Sequence, residues 1–459
     1  YLTGESITTG VQNTLIGGLA GDALTDADNN VALGYSAMTT NVLGSESVAI
    51  GTFALNSQNP ASATNMYNVA VGHNSGAAVT TGVQNTLIGG LAGDALTSSS
   101  DNTAVGYQAL GSATTGNENT AVGHSALFTN ILSDRNVALG LDALRNHNQA
   151  SSIDSYNTAV GYNTGAAVTT GVANTLIGGL TGDALTDADY NTAVGFEALT
   201  SDTLGNRSVA LGYFALRNQN FTSATDSYNT ALGFAAGEAV TTGTENTLIG
   251  GRAGDALTDA DKNVAIGSEA LSADTLGSNS VAVGRAALAN QNFTSATDSY
   301  NTAVGARAGV EVTTGVQNTL IGGLAGDALT DADYNTALGY NALTSDTLGS
   351  YSTAIGRNAL YSQNFTSATA SHNTAIGYAA GEAITTGVQN TLIGSGAGDA
   401  LTDGDANICI GYAAGTHSTD LQTGHRNVIL GSYARTSATN TDDANIIGYD
   451  ISGAAGYTT

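Results

Sequence analysis

Polar and apolar positions recur along the chain in a fixed five-residue order: Asn or Ser, then Thr or Val, then Ala or Leu, then Val, Ile or Leu, then Gly. The pattern reads N-T-L-I-G at 13–17, N-V-A-L-G at 30–34, S-V-A-I-G at 47–51 and N-V-A-V-G at 68–72. It continues to N-V-I-L-G at 427–431 and a degraded copy at 445–448, 25 copies in all. Positions two and four are β-branched or apolar and position three is small, so the segment has period two and predicts a short strand. The closing Gly predicts a tight corner, where a positive φ or a missing Cβ is needed. A second short run follows, such as Y-N-A-L at 340–343 or R-A-A-L at 285–288. It predicts a second strand, and a turn rich in Gly, Ser, Thr and Asp then returns the chain. Two strands and two turns per coil make a flattened roll.

The spacing decides the architecture. Successive closing glycines are separated by intervals of 17 or 21, with one interval of 20 from Gly411 to Gly431. Coils group into 72-residue super-repeats with the interval order 17, 17, 21, 17, seen from Gly178 to Gly250 to Gly322 to Gly394. The stretch from Gly89 to Gly178 is longer, because one whole 17-residue coil around Asn119–Arg135 is inserted. A complete coil is accepted only where each coil is its own structural layer. The expected fold is all-β, a single parallel β-roll solenoid over residues 1–459. Its super-repeats run approximately 13–84, 85–173, 174–245, 246–317, 318–389 and a divergent 390–459. At about 4.8 Å per coil the rod would reach roughly 120 Å. The first-position Asn85, Asn157, Asn229, Asn301 and Asn373 are expected to stack into an amide ladder, with a turn-forming role as the alternative.

Composition narrows this further. There are 60 Gly, one Pro, no Trp and 8 Phe, so the interior must be narrow enough for small and β-branched side chains. A net charge of −27, from 38 acidic and 11 basic residues, excludes nucleic-acid binding and attraction to anionic membranes. One cysteine, Cys409, permits no intrachain disulfide. The sequence holds no apolar run long enough to predict a membrane-spanning helix. Tyr1 lies in a repeat-like context without an initiator Met, which points to a fragment or a processed form.

The motif S-V-A-I-G-x-x-A-L at 47–55, with S-V-A-L-G at 208–212 and S-V-A-V-G at 280–284, resembles the head repeat of YadA-like trimeric autotransporter adhesins, a repeat also found in bacteriophage tail fibres. The resemblance covers residues 13–448. It implies a left-handed β-roll and a homotrimeric rod. The family's repeats are typically shorter, so the coils of this chain must carry longer loops at one edge. The chain shows neither a heptad stalk nor C-terminal barrel strands. The resemblance implies an extracellular structural and adhesive fibre, a phage tail or appendage fibre, with a bacterial adhesin head or a passive filament as alternatives. The expected location is extracellular, on a cell surface or a virion. Expected partners are the chain itself, as a trimer and end to end, and a cell-surface glycan or protein receptor.

Candidate chemistry is sparse. G-D-A-L-T-D-A-D recurs at 21–28, 182–189, 254–261 and 326–333. Its carboxylates could supply Ca²⁺ ligands: Asp22, Asp26 and Asp28; Asp183, Asp187 and Asp189; Asp255, Asp259 and Asp261; Asp327, Asp331 and Asp333. The alternative is a solvated acidic turn that caps backbone N–H groups. The last three 21-residue coils carry Q-N-F-T-S-A-T loops, and Phe221, Phe293 and Phe365 at their tips could contact a receptor, fold back over their own coil or plug a subunit seam. The same loops read as N-glycosylation sequons at Asn220, Asn292 and Asn364. Cys409 replaces the usual Ala of the pentad and reads as a packed residue, and the six His, His417 among them, do not fall at metal spacing. Carboxylates repeated this evenly argue against a unique acid–base pair, and no enzyme activity or organic cofactor is expected. The V-T-T-G pairs recur once per block rather than once per coil, which gives no continuous ice-binding array.

Overall fold

The structure is a computed structural model that describes residues 2–416 and 421–453; Tyr1 and His417 lie outside the described residues. The chain is an all-β parallel solenoid of about 26 turns, without a helix among the described residues. Two units, Tyr1–Tyr228 and Asn229–Thr459, share one plan. In the first, Thr14–Ile16 pairs in parallel with Val31–Leu33, and pentad lies on pentad in this way to Thr192–Val194 on Val209–Leu211. In the second, the same register runs from Thr230–Leu232 on Thr247–Ile249 to Val428–Leu430 on Asn445–Ile447. The inserted coil contributes a full strand, Thr120–Val122, between Thr103–Val105 and Val137–Leu139. Register is the same across short and long coils, so the additional length is absorbed outside the strand.

Within each strand only the middle residue points inward. Ala32, Ala49, Leu87 and Leu176 are fully buried, while the residues on either side face out. The core is therefore one residue wide per strand. It is closed by the Ala-Leu pair of the following turn, such as Ala54 with Leu55 or Ala143 with Leu144. Volumes compensate along the stack: beside Leu87, Gly93 takes the turn position, where a Cβ would lie 2.8 Å from a Leu87 methyl. The closing glycines are fixed by their neighbours. Gly17 has φ 131°, and a Cβ there would sit 2.6 Å from the Gly34 carbonyl oxygen.

The expected second strand needs correction. Asn341 and Leu343 both have φ 56°, with Ala342 between them, so the run after the closing Gly is a turn of alternating left-handed residues. Each such position costs a non-glycine residue about 1 kcal/mol or more. The bond from Leu343 N–H to the Ala359 carbonyl (3.0 Å), repeated from coil to coil, offsets that cost. A second parallel pairing occurs where a 21-residue coil follows, as two-residue strands such as Gly205–Asn206 against Thr225–Asp226, and once more near the end of the described residues, where Arg435–Thr436 pairs with Ser452–Gly453.

Candidate functional site

The first-position asparagines form runs of a polar ladder within each unit, interrupted only where Ser heads a long coil. The Asn85 side-chain oxygen accepts the Asn102 backbone N–H (3.1 Å) and its side-chain amide (3.2 Å). Asn157, Asn229, Asn301 and Asn373 accept from Asn174, Asn246, Asn318 and Asn390 in the same way. Each amide also donates to a turn carbonyl of the next coil, Asn229 to Gly243 at 2.7 Å for example. This bifurcated arrangement satisfies a buried amide completely, which is what keeps it from destabilising a narrow core.

Ser replaces Asn at the head of four 21-residue coils, and a loop Gln fills the gap. Gln219 donates to Ser208 Oγ (2.8 Å) and to the buried Asp202 carboxylate (2.6 Å). Asp202 also accepts from the backbone N–H of Gly205 (3.0 Å) and Phe221 (3.2 Å). The same cluster recurs at Asp274 with Gln291 and at Asp346 with Gln363. Burial raises the Asp202 and Asp274 carboxyls above the usual range despite these donors. The clusters could have been read from the sequence, since a Gln follows every Ser-headed 21-residue start at one fixed spacing, as Gln58 follows Ser47 and Gln219 follows Ser208. These bonds decide between an outward and a folded-back placement of the phenylalanines. Phe221, Phe293 and Phe365 are each only 5% exposed, because the backbone N–H is tied to the buried Asp of the preceding coil and the ring lies against Gly205, Gly277 or Gly349 of that coil.

The carboxylates of each acidic motif diverge. Asp183 accepts from Thr200 in the following coil, whereas Asp187 accepts from Thr170 and Asp189 from the Val172 N–H (2.7 Å), both in the preceding coil. Asp28, Asp261 and Asp333 cap Val11, Thr244 and Val316, and Asp259 and Asp331 accept from Thr242 and Thr314. Asp327 accepts from Thr344, Asp26 is exposed, and Asp22 and Asp255 each keep one buried oxygen without a partner. Among the described residues no group of three or more His, Cys, Asp or Glu side chains is placed to hold a metal ion. Burial raises the Asp183, Asp255 and Asp327 carboxyls. Cys409 is fully buried between Leu392 and Ile429, and burial pushes its thiol up to about 12, which leaves it unreactive.

Two features went unseen in the sequence. Threonines spaced by one coil form a second ladder: Thr169 Oγ1 donates to the Thr186 carbonyl (3.2 Å), and Thr186 to Thr203 (3.0 Å). Strand position four, meanwhile, points outward along the stack as an apolar row. In the first unit this row exposes Ile16, Leu33, Ile88, Val122 and Ile177; in the second, Leu232, Leu338, Ile376, Ile393 and Ile410. Two residues further on, a parallel row carries exposed rings, among them Tyr35, Tyr107, Tyr162, Tyr340, Tyr378 and Tyr412.

These features define the class of the protein, a parallel β-solenoid with a buried amide ladder, a threonine ladder nearer the surface and an apolar outer row in each unit. No family model matches the chain, and no curated protein matches it.

Proposed function

We propose that the chain is a structural and adhesive segment of an extracellular fibre, in which three copies join through the outward face of the strands. One observation carries this reading, the row of exposed Val, Ile and Leu at strand position four. Soluble monomers rarely expose a contiguous apolar strip of this kind, and such strips mark protein–protein contacts. Closed cyclic assembly buries the same strip on every copy. The resemblance of the repeats to trimeric adhesin heads and phage tail fibres supports a threefold arrangement and an extracellular or virion setting. Loops repeated along three copies would let weak contacts with a surface glycan or protein add up through avidity.

Sedimentation of the purified chain tests the assembly. The expected mass is three times the 45.6 kDa protomer, falling to one protomer in the double variant Leu338→Glu, Ile376→Glu with its β-type circular dichroism intact. A wild-type chain that sediments as one protomer at micromolar concentration would sink the reading. Binding to host cells then separates an adhesive fibre from a passive filament.

A further inference from the structure

All five 21-residue coils bury a polar pair, one member in the coil and one in the coil before it: Asn41 with Gln58, Asn130 with His147, Asp202 with Gln219, Asp274 with Gln291, and Asp346 with Gln363. Four of the pairs join a satisfied network. In the first, Gln58 is bonded to Ser47 (3.3 Å) and accepts from Asn68 (3.0 Å). The second departs. Asn136 stands where Ser would be and serves the ladder, while Asn130 bonds to Ser133 (3.0 Å) as Asn41 does to Gly44. His147 is fully buried, and its ring reaches no partner at good hydrogen-bond geometry, with the Thr169 carbonyl as its polar neighbour; the Ser155 hydroxyl of the same coil is also buried without a partner.

Among the described residues no charge faces this ring. Asn130 is in register below and Val168 above, and both are neutral. The nearby carboxylates are held elsewhere: Asp134 by the Asn117 N–H (2.6 Å) and Ser152, Asp142 by Arg145, and Asp154 by Arg135. A protonated imidazole here would be a buried cation with no counter-charge, which folded proteins do not sustain. The segment that covers it, Asn146–Ser155, is held by the same backbone bonds as its sister segments, including a two-residue strand, Ile153–Asp154, on Ser133–Asp134. Its bonds include Asn148 N–H to the Thr169 carbonyl (2.9 Å), Gln149 Nε2 to Thr170 (2.6 Å) and Ser155 N–H to Asp134 (3.1 Å).

We infer that His147 is a built-in acid release: protonation of its ring frees Asn146–Ser155 from the solenoid while the Gln-containing sister coils stay closed. This does not depend on the proposed function. Burial lowers the ring to about 4 from its ordinary 6.5, opposed only by the Thr169 carbonyl. Because the closed form has the lower value, closure is at full strength above about 6.5 and weakens as pH falls toward about 4. At pH 4.5 the open fraction should rise on the order of 50-fold.

Hydrogen–deuterium exchange of the whole chain at pH 7.5 and 4.5, corrected for intrinsic rates, tests this. The segment Ser57–Met66, with its neutral Asn41 and Gln58, is the internal control. Exchange of 146–155 relative to 57–66 should rise on the order of 50-fold on acidification in wild type and stay level in His147→Gln. A wild-type rise below threefold, or an equal rise in His147→Gln, overturns the inference. Should His147→Gln fail to fold, Asn130→Asp stands in for it. That change places a carboxylate where Asp202 stands in the next block, so the acid-induced rise should shrink at least tenfold. A rise as large as in wild type overturns the inference.

Discussion

Asp202 shows how a single buried side chain is tuned. Three donors, Gly205, Phe221 and Gln219, converge on its carboxylate, yet loss of solvent outweighs them and its proton is held more tightly than usual. The folded chain therefore binds this proton in a pH range where the unfolded chain has released it. Stability from this group is greatest in acid and declines as pH rises through the raised value. Asn41 occupies the equivalent place in the first super-repeat and still accepts the Gly44 N–H (2.9 Å), so Asp202→Asn should keep the cluster folded. Urea midpoints at pH 4, 5, 6 and 7 should decline less steeply in the variant than in the wild type. Parallel profiles would show that the carboxylate does not titrate with folding. His147 acts with the opposite sign, and the two contributions can be separated by their direction alone.

At the scale of one element, the coil is the unit of change. Deleting Asn119–Arg135 removes one layer and sets Val137–Leu139 on Thr103–Val105, where pentad again meets pentad. That variant should keep wild-type circular dichroism with a melting temperature within a few degrees. Deleting only half of the same stretch shifts register, turns inward residues outward, and should send the chain to the insoluble fraction. The layer was legible because Asn and Gly bracket every strand at fixed spacing. The opposite side was not. An Ala-Leu run looks like a strand by composition, but Leu343 and its counterparts reach the core through left-handed turns held by the neighbouring coil. Whether Phe221 points out or folds back could not be read locally, because the side chain that retracts it, Asp202, lies one coil earlier. The carboxylates of the acidic motif part for a related reason, since residues adjacent in sequence bond to coils on opposite sides.

Across the whole molecule, two forces oppose one another on the outer face. An apolar row runs along each unit, favouring association, while a net charge of −27 per chain makes copies repel. Eleven basic residues are too few to offset 38 acidic ones, and several are already engaged: Arg207 with Asp226, Arg217 with Glu197, and Arg426 with Asp443. Ion pairs between copies are therefore a poor candidate for holding the proposed trimer together. Screening should instead promote assembly, because the Debye length shrinks from about 30 Å at 0.01 M salt to about 3 Å at 1 M while apolar contact persists. Sedimentation at 10 mM and 500 mM NaCl should show the assembled fraction rising with salt at fixed protein concentration. A fall with salt would mean that charge pairs hold the copies together, and the apolar row would lose its assigned role.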